Sequence, residues 1–247
     1  MNFEKVVERI CSFISDFVES SGAEGVVVGL SGGVDSSTVA HLCCEALGNE
    51  RVFGLVMPER GVTPEQDVED AIKVAKSLGI SFKLIEINDI IEVFKKKAGE
   101  GSRMAEANLK PRIRMILNYY HANSMNRVVA GTGNKSELMV GYFTKYGDGG
   151  VDFLPIGDLF KTEVFQLAAH LGVPREIIEK KPSAALWPGQ TDEGEMGITY
   201  AELDEILKLI EKGEKRDDEK FQKVLKMVER SRHKREMPPI ARVRDLL

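Results

Sequence analysis

The run Val26-Val27-Val28-Gly29-Leu30 constrains this chain more than any other segment. It is short, rich in β-branched residues and without polar alternation. A strand of that kind is covered on both faces, as at the centre of a parallel sheet. Ser31-Gly32-Gly33 then turns the chain, and residues 35–47 read as a helix. The alternation continues: a second apolar strand over 52–57, a helix from Thr63 to Leu78, a third strand over 82–87 and a helix over 88–97. After a flexible connection at 98–102, a helix over 109–123 leads to a fourth strand at 127–130. Gly131-Thr132-Gly133-Asn134 and a helix over 135–141 follow. Strand and helix in alternation imply a doubly wound, mainly parallel α/β sheet with helices on both faces. Ligands of such sheets bind beyond the carboxyl ends of the strands, where the loops after Leu30 and Ala130 both fall.

Flanking segments complete the reading. Residues 3–20 repeat apolar side chains every three or four positions, the mark of an amphipathic helix. Thr63 is expected as the N-cap of its helix, with Pro64 in the first helical position. Residues 159–171 form a strong helical repeat closed by Gly172 and Pro174. Residues 182–197 are polar, without apolar period, and a loop of that length is expected to be a lid or binding segment. Within it Trp187 reads equally as a contact residue or as an anchor. Helices over 199–210 and 217–230 form an appendage on a single domain spanning 1–247, and a basic tail follows.

With 247 residues the chain can bury one full core. A net charge of −5 argues against a nucleic-acid partner. No apolar run approaches the ~20 residues of a membrane helix. The start, Met1-Asn2-Phe3-Glu4-Lys5, has no apolar signal core. Three cysteines, Cys11, Cys43 and Cys44, have neither metal-ligand nor disulfide spacing, which fits free thiols in a reducing cytoplasm. The expected location is cytoplasmic.

The loop after the first strand carries the chemistry. Gly32 and Gly33 let the backbone aim successive N–H groups at one point, the hydroxyls of Ser31, Ser36 and Ser37 add donors, and the start of the next helix favours an anion. Asp35 would repel a phosphate unless a divalent cation lay between them. No Gly-Lys-Ser/Thr ending is present, so this is not a Walker-type loop.

Gly29-Leu30-Ser31-Gly32-Gly33-Val34-Asp35-Ser36 resembles the pyrophosphate-binding loop of the N-type ATP pyrophosphatases. Within that group, the ordered motifs resemble the NAD synthetase family. These are Asn108-Leu-Lys-Pro-Arg112-Ile-Arg114-Met, Gly131-Thr132-Gly-Asn-Lys-Ser-Glu137, Phe143-Thr-Lys145-Tyr-Gly-Asp148-Gly-Gly with Asp152 following, and Lys161-Thr-Glu-Val. Pro182-Ser183-Ala, Gly189-Gln-Thr-Asp-Glu193 and His233-Lys234-Arg235 complete the series. The resemblance implies a Rossmann-like fold of the adenine nucleotide alpha-hydrolase type. It implies an ATP-dependent ligase that amidates deamido-NAD with free ammonia through an acyl-adenylate, releasing AMP and pyrophosphate. ATP would contact Gly29 to Ser36, Thr132, Lys161 and Ser183. Mg2+ would be held by Asp35 and Glu137. Deamido-NAD would contact Arg112, Lys145, Asp152, His233 and Lys234, with Lys145 and Asp152 also placed to receive ammonium. Apolar faces at 3–20 and 109–123 exceed what one core covers, so a homodimer is expected. Departures from the family pattern fall at Leu186-Trp187-Pro188 and at Pro111, which is expected to shift the start of its helix. An asparagine synthetase would carry a cysteine after Met1, where this chain has Asn2. Sulfur-transferring tRNA enzymes would place cysteines in loops, and a nitrilase-type glutaminase domain would add roughly as many residues again.

Overall fold

The computed structural model describes residues 2–187 and 189–244; Met1, Pro188 and residues 245–247 lie outside the described residues. Four parallel strands make the sheet, β1 (Gly25–Gly29), β2 (Val52–Val56), β3 (Ser81–Leu84) and β4 (Arg127–Ala130), in the order β3-β2-β1-β4. Val27 pairs with Phe53 on one side and Val129 on the other. Val26 and Val28 join one hydrophobic cluster and Val27 the opposite one, and all three are fully buried. Each such side chain contributes about 1.5–3 kcal/mol, which is why this strand tolerates no polar alternation.

One face of the sheet is covered by α1 (Phe3–Ser20), α2 (Val34–Leu47), α3 (Glu65–Ser77) and α7 (Lys161–His170), with Ile14, Val18, Val39, Leu42, Ala75 and Leu167 in the core. The other carries α4 (Asn88–Ala98) and α5 (Arg103–Ser124), whose Ile91, Ile113 and Ala122 pack on Val27, Leu55 and Val129. The chain walks from β1 to β2 to β3, then crosses back to place β4 on the far side of β1. The loops after β1 and β4 therefore part company, opening a crevice at the carboxyl end of the sheet.

Several local expectations are corrected. The α5 helix starts at Arg103, with the Ser102 hydroxyl accepting from the Ala105 N–H (3.2 Å), six residues before the expected 109. Pro111 lies inside it. A proline there forfeits a backbone bond, and its buried ring packs tightly beneath Gly147. Pro64, not Thr63, is the N-cap of α3, because the Thr63 hydroxyl accepts from Glu59 N (2.9 Å) and closes the preceding turn. Strand β3 ends at Leu84, three residues early, although Ile85 and Ile87 still donate to Val56 O and Pro58 O. The 182–197 segment is not wholly loop: it contains α9 (Asp192–Met196).

The helices α10 (Tyr200–Glu211) and α11 (Glu219–Arg230) pack on α6 (Lys135–Val140) through Leu203, Leu207, Val224, Val140 and Phe160. Two short helices, α8 (Arg175–Ile178) and α12 (Arg232–Arg235), and a 3-10 turn at Asn49–Arg51 complete the described elements. Cys43 is buried, and all three thiols are free. No helix among the described residues is long and apolar enough to cross a membrane.

Candidate active site

A cleft of about 620 Å3 opens at the parting of the β1 and β4 loops. Its floor is Gly29 to Ser36 without Gly32, its far wall Gly131, Thr132 and Glu137, and its roof residues 182–187.

The phosphate loop is braced from within. Gly33 N donates to Ser31 Oγ (3.3 Å), Ser31 N donates to Ser36 Oγ (3.2 Å), and the hydroxyls of Ser36 and Ser37 both donate to Gly33 O. These serine hydroxyls, expected as ligand donors, hold the loop in shape, and buried Ser37 lies below the cleft surface. Gly32 has φ +76°, and a Cβ there would meet Asp67 O at 2.1 Å. Only glycine lets α3 approach the loop so closely. Lys180 locks this contact by donating to Gly32 O (3.1 Å), Asp67 (2.6 Å) and Asp70 (2.6 Å).

Asp35, in the first turn of α2, meets Glu137 of α6 at a single cation, the Lys161 ammonium from the start of α7. Lys161 is 2% exposed; it donates to the Asp35 carboxylate and to Glu137 Oε1 at 3.3 Å, and lies 5.1 Å from the Tyr200 ring centre. Burial pulls the Lys161 ammonium down, but the two carboxylates outweigh it and hold it above the ordinary lysine range. Burial raises the Glu137 carboxyl; Lys161 opposes this, while Asp35 and Asp192 add to it. Two further groups place the carboxylates. Asn134 donates to Asp35 (3.0 Å) and forms a reciprocal capping box with Glu137, and the Tyr200 hydroxyl bonds both Glu137 (3.3 Å) and Asp192 (3.1 Å). Asn134 lies within a recognisable Asn-x-x-Glu spacing. Tyr200 and Lys180 carry no local signal, since each reaches the site from a distant part of the chain.

Two carboxylates converging on one ammonium also suit a divalent cation. Among the described residues no group of three or more His, Cys, Asp or Glu is arranged to hold a metal alone. Mg2+ uses one or two carboxylates and completes its shell with phosphate oxygens and water, and the pair Asp35 and Glu137 offers that number.

Thr132 lines the cleft. Ser183 lines it too, but its hydroxyl donates to Gln190 O (2.8 Å) and accepts from Ala185 N (3.0 Å). Trp187 lies under the Arg103 guanidinium at 4.7 Å, and Lys110 donates to Leu186 O (2.6 Å), so the roof is fastened to α5.

The residues expected at deamido-NAD are placed differently. Lys234 alone of them lines the cleft, donating to Gly141 O (2.6 Å) and Phe143 O (2.7 Å). Arg112, Lys145, Asp152 and His233 lie outside it; Lys145 is half-buried and the other three are exposed. Lys145 and Asp152, expected as an ammonium-receiving pair, are engaged apart. Lys145 donates to His233 O, while Asp152 accepts from Val129 N (2.7 Å) and the Tyr119 hydroxyl (3.0 Å). No cysteine lines the cleft, and burial is the main cause that pushes Cys11 and Cys44 up to about 11.

Known proteins share this architecture. An NH(3)-dependent NAD(+) synthetase of Archaeoglobus fulgidus is 84% identical over 247 residues, the whole of both chains. The structure of an NMN synthetase from Francisella tularensis superposes with a TM-score of 0.90 at 36% identity, covering 98% of this chain and 99% of that one. An NH3-dependent NAD synthetase from Campylobacter jejuni, solved with nitrate, gives 0.86 at 35%, covering 98% and 100%. The NAD synthase family model matches residues 6–238. By that match, and by likeness along its whole length, the chain belongs to the NAD synthase family.

Proposed function

We propose that the chain is a ligase that amidates deamido-NAD with free ammonia at the expense of ATP. The observation that carries this reading is the meeting of Asp35, Glu137 and Lys161 beside a glycine-rich phosphate loop. A nicotinate carboxylate oxygen attacks the α-phosphorus of ATP and pyrophosphate leaves; ammonia then attacks the acyl carbon and AMP leaves. Neither step needs a nucleophile from the protein, so catalysis rests on positioning and charge neutralisation. Gly29 to Ser36 seat the phosphates with their N–H groups and the start of α2. Asp35 and Glu137 hold Mg2+, which neutralises phosphate charge when bound. Lys161 holds a positive charge where pyrophosphate departs. Thr132 and Ser183 flank the nucleotide. Arg112, Lys145, Asp152, His233 and Lys234 bind the deamido-NAD. Of these, Lys145 and Asp152 lie apart, so reception of ammonium between them requires both to leave their present partners.

Ile116 and Tyr120 stand 61% and 67% exposed one turn apart on α5, on the helix that also carries Arg112. This supports a homodimer joined along α5, with the dinucleotide bound beside the joint. Free thiols suit a cytoplasmic enzyme.

The test is formation of NAD from deamido-NAD, ATP, Mg2+ and ammonium, together with ATP–pyrophosphate exchange. Exchange that ignores deamido-NAD would overturn the reading. Because the Francisella structure bears the name NMN synthetase, nicotinate mononucleotide is run as a second acceptor, and its preference would reassign the substrate. Sedimentation of Ile116→Asp checks the dimer, with a monomer expected.

A further inference from the structure

Asp204 is a buried carboxylate that the proposed reaction leaves unused. It lies on α10 and is 2% exposed. Among the described residues no lysine, arginine or histidine forms an ion pair with it. Its two oxygens are spent on α6 and α7. One accepts from Thr162 N at 2.9 Å, and the other accepts from the Ser136 hydroxyl. The Ser136 oxygen in turn accepts from Lys161 N at 2.9 Å.

A helix starts with backbone N–H groups that have no partner in the helix, and a Ser, Thr, Asp or Asn just before it normally supplies one. The residue in that place before α7 is Phe160, which has no side-chain oxygen. Asp204, distant in sequence, does the work, directly at Thr162 and through Ser136 at Lys161. The positive end of α7 compensates its buried charge. Ser136 also precedes Glu137, so one carboxylate reaches the backbone at Lys161 and anchors the side chain next to Glu137. Leu203 and Leu207 on either side of it are fully buried against Val140 and Phe160, which sets its height.

We infer that Asp204 is a positioning residue: it sets the first turn of α7, and the Ser136–Glu137 step beside it, so that the Lys161 ammonium and the Glu137 carboxylate arrive together at the phosphate end of the cleft. The inference rests on the proposed reaction. The C-terminal helices then serve the chemistry by carrying the cap for a helix they do not belong to.

The experiment compares wild type with Asp204→Asn and Ser136→Ala by thermal unfolding, steady-state kinetics and magnesium titration of the rate. An amide cannot accept from both donors with equal strength. Asp204→Asn is expected to unfold cooperatively and to lose roughly tenfold to a hundredfold in kcat, in keeping with the cost of a small misplacement. Its KM for deamido-NAD stays within twofold, and more Mg2+ is needed for half-maximal rate. A role confined to stability would lower the melting temperature and leave kcat and the magnesium midpoint unmoved; that result overturns the inference. Should Asp204→Asn fail to fold, Ser136→Ala decides. It keeps the Thr162 bond and cuts the relay to Lys161, so a several-fold loss of kcat supports the inference and an unchanged kcat overturns it. A wild type that makes no NAD overturns the proposed reaction, whereas an active wild type beside an unimpaired variant overturns only the role of Asp204.

Discussion

The ATP end of the cleft and the outer surface that carries Arg112, Lys145, Asp152 and His233 are built on opposite plans. At the ATP end the central charged groups are held inside one chain. Lys161 is 2% exposed between Asp35 and Glu137, Asn134 and Tyr200 hold the carboxylates, and Lys180 holds the loop. On the outer surface the charged side chains are exposed or half-buried and bonded mainly to backbone groups, as Lys145 is to His233 O and Arg112 to Lys145 O (3.4 Å). The first region is pre-organised, and reorganises little when charge develops. The second must exchange its present partners for a ligand or a second subunit. Substitutions of Asp35, Glu137 and Lys161 should therefore act on kcat, and outer ones on KM.

The largest effect is expected from Asp35→Asn. It keeps the size of the side chain but removes one of two carboxylates facing Lys161, and should cost roughly 10²–10³-fold in kcat, read by NAD formation. A loss confined to KM would break the contrast. Gly32→Ala follows. Its methyl group would collide with Asp67 O in a backbone region that strains L-residues by about 1–3 kcal/mol. ATP affinity should fall roughly tenfold to a hundredfold, measured by direct titration with a non-hydrolysable analogue. Arg112→Ala sharpens the other side: KM for deamido-NAD should rise about tenfold, the worth of one charge-assisted hydrogen bond, with kcat and the KM for ATP within twofold.

The smallest effect on catalysis is expected at Asp70. Burial alone would raise its carboxyl, but hydrogen bonds from Lys180 and Gln66 outweigh it and hold the group below the ordinary carboxylate range. A carboxyl lowered by folding contributes stability above its unfolded titration range, and the contribution is lost as pH falls through the folded value. Asp70→Asn should thus lower stability by about 1–3 kcal/mol at neutral pH and flatten the acid limb of melting temperature against pH below about 4. Its kcat should stay near wild type, because Asp67 still holds Lys180. An acid limb unchanged from wild type would refute this account of the clamp.

What the chain discloses in advance follows the reach of each interaction. Strand β4 lies at 127–130 as its apolar run indicates, and the phosphate loop lies between a buried strand and a helix, because these features depend on neighbours in sequence. The start of α5 is hidden, since Pro111 breaks the apparent repeat and only its packing under Gly147 explains a proline inside a helix. The Ser31 and Ser36 hydroxyls look like ligand donors until the loop closes on itself. Asn134 with Asp35, Tyr200 with Glu137 and Lys180 with Gly32 join residues 99, 63 and 148 positions apart. No local pattern records such pairs. The separation of Lys145 from Asp152 is likewise a matter of what each finds in three dimensions.

The end of α6 bears on how the protein is made. Helix α6 leaves unpaired carbonyls at its end. Those of Leu138 and Met139 accept from Arg235, and those of Gly141 and Phe143 just beyond accept from Lys234. At Gly141 (φ +72°) a Cβ would fall 2.1 Å from the Ser231 side chain, so the two segments fit only by contact. The helix bearing Glu137 thus borrows its final donors from residues 91 to 97 positions further along the chain. Synthesis proceeds from the N-terminus, and earlier parts can fold first. The phosphate loop can be set while translation continues, whereas its acidic counterpart waits until Lys234 and Arg235 have been made.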